Sequence, residues 1–100
     1  MASLATAFAA ALAADTPLQK LNLARNNLDA AALGALLDAL PRNTRLRTLD
    51  ISGNPMPAGF MRHRLLPAVR ANTGLRSLLV STTGLTKDDE AAVQRILAAR

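Results

Sequence analysis

A repeat of 28 to 29 residues constrains this chain more than any other feature of its sequence. Residues 18–28 (LQKLNLARNNL), 46–56 (LRTLDISGNPM) and 75–85 (LRSLLVSTTGL) share the pattern L-x-x-L-x-[LIV]-x-x-[NT]-x-[LM]. A polar residue followed by Thr precedes each segment in the same phase, at Asp15, Asn43 and Asn72. Self-similarity at such a fixed period predicts an array of similar units stacked on one another.

Each unit predicts a short strand followed by a helix. In the first unit Leu21 and Leu23 alternate with residues that face the other way, which is the pattern of a strand. Residues 29–40 (DAAALGALLDAL) space their apolar side chains at helical intervals. Asp29 is suited to cap that helix, and Pro41 is suited to end it. Because no such unit can bury its apolar face alone, the units must stack and share one core.

The repeat organises the 100 residues as a single α/β domain. We expect an N-terminal helix at 1–14, repeat 1 at 15–42, repeat 2 at 43–71 and a terminal repeat at 72–100. The first segment is the helical half of a unit. The alternative is a secretory leader, although MASLATAFAAALAA lacks the positively charged start of one. In the terminal repeat, Thr86 and Asp89 have the spacing of a helix-start box.

Repeat 2 departs from the others in one extra residue and three prolines, Pro55, Pro57 and Pro67. A proline inside a helix costs ~3 kcal/mol, whereas one in the first turn is tolerated. We therefore expect either a short helix that begins near His63 or Arg64, or a kink before Pro67.

The motif L-x-x-L-x-L-x-x-N-x-L, with a long helix in each unit, resembles the ribonuclease-inhibitor-like class of leucine-rich repeats. Composition rich in Ala and Arg favours a bacterial effector or related bacterial repeat protein within it. The resemblance implies a short right-handed horseshoe solenoid, with three parallel strands on the concave face and helices on the convex face. It also implies that Asn26 and Asn54 form a ladder of bonds to the backbone of neighbouring turns. Thr83 departs from the motif, which should weaken that ladder in the terminal repeat.

Proteins of this class commonly bind partners through the concave sheet, so we expect a protein-protein interaction module with another protein as its partner. The residues predicted to contact that partner face solvent on the strands or directly follow them. They are Lys20, Asn22, Arg25, Thr48, Asp50, Ser52, Ser77, Leu79 and Ser81.

Two alternative functions stay open. The chain could be a structural capping fragment of a longer repeat protein. It could also bind an anion or a nucleic acid, because the net charge is +5 and ten of the twelve basic residues are Arg. The arginines that would bind it form a predicted stripe of Arg42, Arg45, Arg47, Arg70 and Arg76. Nucleic acid is disfavoured as the ligand, since no aromatic residue lies among these five arginines to stack on a base.

Catalysis is not expected, and neither is a cofactor or a metal ion. The chain has no Cys or Tyr, and its single histidine, His63, has no acidic or Cys neighbour in sequence. Asp50, Ser52 and His63 are residue types found in catalytic triads. We expect Asp50 and Ser52 on the strand side of the repeat and His63 on the opposite, helical side, so they should not form one. No apolar stretch approaches the ~20 residues that span a membrane. The lack of Cys favours an intracellular-type compartment, including host cytoplasm for an effector. Self-association through the two sheet edges is a further hypothesis.

Overall fold

Strands and helices alternate along the chain in the order that the repeat predicts. A computed structural model describes residues 4–15, 17–57 and 59–100. Residues 1–3 of the predicted N-terminal helix, and Thr16 of the first polar-Thr pair, lie outside the described residues. The elements are α1 (Leu4–Ala13), β1 (Lys20–Asn22), α2 (Ala30–Ala39), a short 3-10 helix (Leu40–Arg42), β2 (Thr48–Asp50), α3 (Phe60–Ala71), β3 (Ser77–Leu79) and α4 (Lys87–Ala98).

The three strands form one parallel sheet in the order β1-β2-β3. Leu21 pairs with Leu49, and Leu49 pairs with Leu78. These pairings are one repeat apart in sequence, so the strand register is the repeat offset itself. The predicted α/β domain with three parallel strands is confirmed.

One apolar core lies between the sheet and the helices. Leu23 and Ile51, which follow their strands, are buried with the central strand leucines. The helices pack side by side in chain order, α1 on α2, α2 on α3 and α3 on α4. The helical side chains in this core include Leu33, Leu36, Leu37, Leu65, Val69, Val93 and Leu97.

Two predicted helix starts are confirmed by their capping bonds. The Asp29 carboxylate accepts a hydrogen bond of 2.8 Å from the Ala32 N–H at the start of α2. The Thr86 hydroxyl accepts one of 3.1 Å from the Asp89 N–H at the start of α4. Each bond satisfies a donor that the first helical turn would otherwise leave unpaired.

Helix α3 begins earlier than the sequence predicts, at Phe60 rather than near His63 or Arg64, and it continues through Pro67. Gly59 precedes it in the left-handed region, at φ 81°, and its carbonyl accepts from the His63 N–H at 3.1 Å. Met61 is buried in the core. Burial of Met61 stabilises that first turn, so the helix extends over residues expected to form a loop.

The longest helices of the described part of the chain have 12 residues, and none there is long and apolar enough to cross a membrane.

Candidate partner-binding face of the sheet

The sheet has one side covered by helices and one side open to solvent, which we call the open sheet face. The strand register sets its residues in two rows across the three strands. Each of these side chains is exposed or half-buried. The first row is Lys20, Thr48 and Ser77, and the second row is Asn22, Asp50 and Leu79.

The turns that follow the strands extend the open sheet face, and each turn contains a residue in the left-handed backbone conformation. Arg25, Gly53 and Thr82 all have positive φ, at 55°, 72° and 59°. The Arg25 side chain lies against Gly53, where an added Cβ would come within 2.5 Å of the Arg25 Cγ. Glycine at position 53 therefore leaves room for the Arg25 side chain, which a Cβ there would displace. Ser52 is half-buried and Ser81 is exposed in the same turns.

Two of the three residues in the second row serve the fold as well as the surface. Asn22 Oδ1 accepts from the Ala24 N–H at 2.9 Å. Asp50 Oδ1 accepts from the N–H and the hydroxyl of Ser52, at 3.0 and 2.5 Å. Each side chain thus closes the turn after its own strand.

Leu79 stands at the matching position of β3, where an aliphatic side chain can accept no such bond. It is 47% exposed and is the one large exposed hydrophobic residue of the described chain. A shallow groove beside it runs between β3 and α4. The lining of this groove includes Leu79, Ser81, Lys87, Glu90 and Gln94.

The ladder role predicted for the motif asparagines is found at Asn54. Its side chain is buried, and its Nδ2 donates to the carbonyls of Leu23 and Ile51, at 2.9 Å each. Its Oδ1 accepts from the N–H groups of Asn26 and Leu28, at 3.2 and 3.0 Å. The amide therefore joins repeat 2 to repeat 1.

The other two motif positions differ from Asn54. Asn26 is exposed, and its Nδ2 donates to Ala24 O of its own turn at 3.2 Å. This corrects the expectation for its side chain: among the described residues no strand precedes β1, so no strand carbonyls lie within reach of the amide there. The Thr83 hydroxyl donates to Val80 O within the same turn at 2.6 Å, so the ladder does not continue through it.

A second column of asparagines, at the corner where each helix returns to its strand, was missed by sequence reasoning. Asn43 and Asn72 are both buried. Asn43 Nδ2 donates to Leu12 O at 3.2 Å, and Asn72 Nδ2 donates to Leu40 O at 2.8 Å. The signal was present, because these residues recur in phase with the motif, but the pattern alone did not assign them a bonding role.

Asp15 begins the same column and bonds forward to repeat 2. Hydrogen bonds from the Thr44 N–H, at 2.7 Å, and then from its hydroxyl lower the pKa of the Asp15 carboxyl below its ordinary value of 3.8. The positive charge of Arg45 acts in the same direction, whereas burial opposes it.

We expect Asp15→Asn to be less stable than wild type at pH 7, with the difference shrinking in acid. A carboxylate with a lowered folded-state pKa stabilises the fold above its unfolded pKa, and this contribution is lost as pH falls through the folded value. Urea unfolding at neutral pH and at several values below about pH 4 measures it. A difference that stays constant over this range would contradict the prediction.

Two members of the predicted arginine stripe are engaged by the backbone. The Arg47 guanidinium donates to the carbonyls of Thr44 and Gly74, at 2.8 and 3.1 Å. Arg76 donates to Thr73 O and Gly74 O, both at 3.2 Å. Such groups have fewer donors to offer a phosphate. The remaining three, Arg42, Arg45 and Arg70, are exposed.

His63 is exposed in a groove between α2 and α3, on the helical layer. Asp50 and Ser52 lie on the sheet, so these three residues do not form a triad. Beside His63, Arg64 pairs with Asp38 at 2.9 Å and lies 5.6 Å from the centre of the Phe60 ring. Within the described ranges, no group of three or more His, Asp or Glu side chains is arranged to hold a metal ion.

The geometry defines a leucine-rich-repeat-like α/β fold. One similar solved structure is a tropomodulin C-terminal domain from Caenorhabditis elegans, with a TM-score of 0.80 and 16% sequence identity. The match covers 96% of this chain and 58% of that structure's chain, so this chain spans little more than half of the neighbour's length. No protein-family profile matches the sequence.

This neighbour corrects the family assignment made from the sequence. The chain was assigned to the ribonuclease-inhibitor-like class, with a bacterial effector favoured, whereas the similar structure is a tropomodulin domain. The physical reason is that the motif fixes the strand, the turn and the apolar positions, which different families share. A composition rich in Ala and Arg does not change this backbone, so it cannot distinguish one of these families from another.

Proposed function

We propose that this chain forms a short right-handed leucine-rich-repeat solenoid and binds another protein through its open sheet face, without catalysis. The observation that carries the proposal is Leu79, an aliphatic side chain 47% exposed in a row whose other two members close turns. The side chain of leucine cannot accept a hydrogen bond from the following turn, so closure of that turn does not explain a leucine at this position. Together with the groove beside it, Leu79 forms a contact surface that has an apolar centre and a polar rim, the composition of a protein-binding surface.

The charges around Leu79 suit a partner with groups of both signs. Lys20 is exposed at the β1 end of the face, Asp50 is half-buried at its centre, and Glu90 lies in the groove beside Leu79. This mixed pattern supports protein recognition over nucleic acid, which would favour a single basic surface. For the two alternative functions, anion binding by the arginine stripe and a purely structural capping role, the described part of the structure offers no observation that supports them as Leu79 supports protein binding.

Leu79→Asp is expected to weaken binding of the partner at least about thirtyfold, the effect of losing ~2 kcal/mol at a central contact. The matched control is Ala31→Asp, which places the same charge at an exposed position near the start of α2. An acidic residue is well tolerated at that end of a helix. Both variants should fold, because surface changes of this kind shift stability by about 0.5 kcal/mol or less.

Immobilised wild type, Leu79→Asp and Ala31→Asp would each be exposed to the same cell lysate. Proteins retained by wild type and by the control, but lost by Leu79→Asp, would then be purified and their affinities measured. Equal affinity for all three chains would contradict the assignment of binding to the open sheet face. Asp50 is left unchanged here, because its substitution would also remove the Ser52 turn bonds.

A further inference from the structure

The corner column of polar residues has a fourth member of a different chemical kind. Asp15, Asn43, Asn72 and Arg100 follow one another at intervals of 28, 29 and 28 residues. The repeat register therefore puts a guanidinium group where the next asparagine amide of the column would lie.

The contacts of Arg100 reproduce those of the asparagine one repeat earlier. Asn72 Nδ2 donates to the carbonyls of Leu40 and Asn43, at 2.8 Å each. One repeat further on, the matching carbonyls are those of Val69 and Asn72. Arg100 Nη2 donates to both of them. The same two backbone acceptors are thus satisfied by an amide in one repeat and by a guanidinium in the next.

The second terminal nitrogen of Arg100 extends the match. Its Nη1 donates to Leu75 O at 2.7 Å and lies 3.5 Å from Asn72 Oδ1. Four oxygens therefore surround one planar cation. A guanidinium carries five N–H donors in a fixed plane and suits such a set, whereas an ammonium group is a compact point charge.

We propose that the carbonyls of Val69, Asn72 and Leu75, together with Asn72 Oδ1, form a guanidinium-binding site. Arg100 fills it and acts as the ladder residue of the terminal repeat. Electrostatics beyond the site oppose this arrangement. Burial and the positive charge of Arg76 lower the pKa of Arg100, and the chain already has a net charge of +5. Removal of a positive charge would by itself stabilise the fold, so a loss of stability would report the hydrogen bonds.

Arg100→Ala is expected to unfold about 4 to 8 °C or more below wild type, because four acceptors lose a charged donor. The matched control is Arg95→Ala, which removes the same charge from an exposed position in the last turn of α4. It should stay close to wild type. About 20 mM methylguanidinium should then raise the Tm of Arg100→Ala in a saturable manner, as a ligand of the folded state does. Methylammonium should not, and neither compound should raise the Tm of wild type.

The proposal would be overturned by equal Tm values for Arg100→Ala and Arg95→Ala. It would also fail if methylguanidinium stabilised Arg100→Ala no more than methylammonium does. If Arg100→Ala does not fold, Arg100→Lys takes its place, since it keeps the charge without the planar donors. A Tm for Arg100→Lys equal to that of wild type would then overturn the proposal. None of these outcomes bears on partner binding, because Arg100 is not on the open sheet face.

Discussion

Asn54→Ala is expected to lower the free energy of unfolding by about 3 to 5 kcal/mol, at the upper end of what a single substitution causes. The side chain is fully buried, and its amide donates to Leu23 O and Ile51 O. It also accepts from the N–H groups of Asn26 and Leu28. Alanine would leave two buried carbonyls and two partly buried N–H groups without this partner, and each unpaired buried group costs about 1 kcal/mol or more. Urea unfolding followed by circular dichroism measures the change.

Asn26→Ala is the matched control, because it removes the same side chain from the same motif position of the neighbouring repeat. Its amide is exposed and bonds only to Ala24 O, so the expected cost is below about 1 kcal/mol. Similar losses for the two variants would show that burial between repeats does not distinguish them. A domain of this size is typically stable by about 5 to 15 kcal/mol, so the Asn54 variant should remain measurable.

Asn72→Ala is expected to cost a similar amount, about 3 to 5 kcal/mol, at the opposite corner of the repeat. Asn72 Nδ2 donates to Leu40 O and Asn43 O. Its Oδ1 accepts from the N–H groups of Gly74 and Leu75, at 3.0 and 2.8 Å. One amide therefore satisfies four backbone groups, which belong to three successive repeats. Thermal and urea unfolding of the variant measure the loss.

Two further variants separate hydrogen bonding from size at this corner. Thr73→Ala, an exposed neighbour, should change stability by about 0.5 kcal/mol or less. Asn72→Asp keeps the shape but turns a carboxylate oxygen toward the carbonyls of Leu40 and Asn43. It should destabilise the fold at neutral pH, because one carboxylate oxygen would face these two carbonyl oxygens with no N–H between them, while the other keeps the bonds from the Gly74 and Leu75 N–H groups. Wild-type stability in Asn72→Asp would contradict the role assigned to the Nδ2 donor.

The self-association hypothesis receives no support at the edge formed by β3. Gln94 of α4 donates from its Nε2 to Leu78 O at 3.1 Å, and so occupies a carbonyl of that strand. An added strand would have to displace this side chain. Covering of exposed strand edges by other groups is a common way for proteins to avoid such pairing.

The period of the sequence predicted which strand residues are equivalent, and the resemblance to leucine-rich repeats implied that the strands run parallel. Leu21, Leu49 and Leu78 occupy the same motif position and pair across the sheet. The rows of the open sheet face follow from that register, so the candidate site residues could be placed from the pattern. The caps at Asp29 and Thr86 were also predictable, since they bond within three residues of themselves.

Only the tertiary structure decided which polar residues hold the repeats together. Asn26 and Asn54 occupy the same motif position, yet in the described part of the chain the Asn54 amide reaches a carbonyl of the preceding repeat, whereas the Asn26 amide bonds within its own turn. Arg100 takes over an asparagine's role because its guanidinium reaches the Val69 carbonyl of the repeat before it and the Asn72 carbonyl at the corner. A sequence motif predicts interactions that form within one repeat, such as a strand, a turn or a helix cap. Hydrogen bonds between residues about 30 positions apart depend instead on what the neighbouring unit presents, and stacking alone determines that.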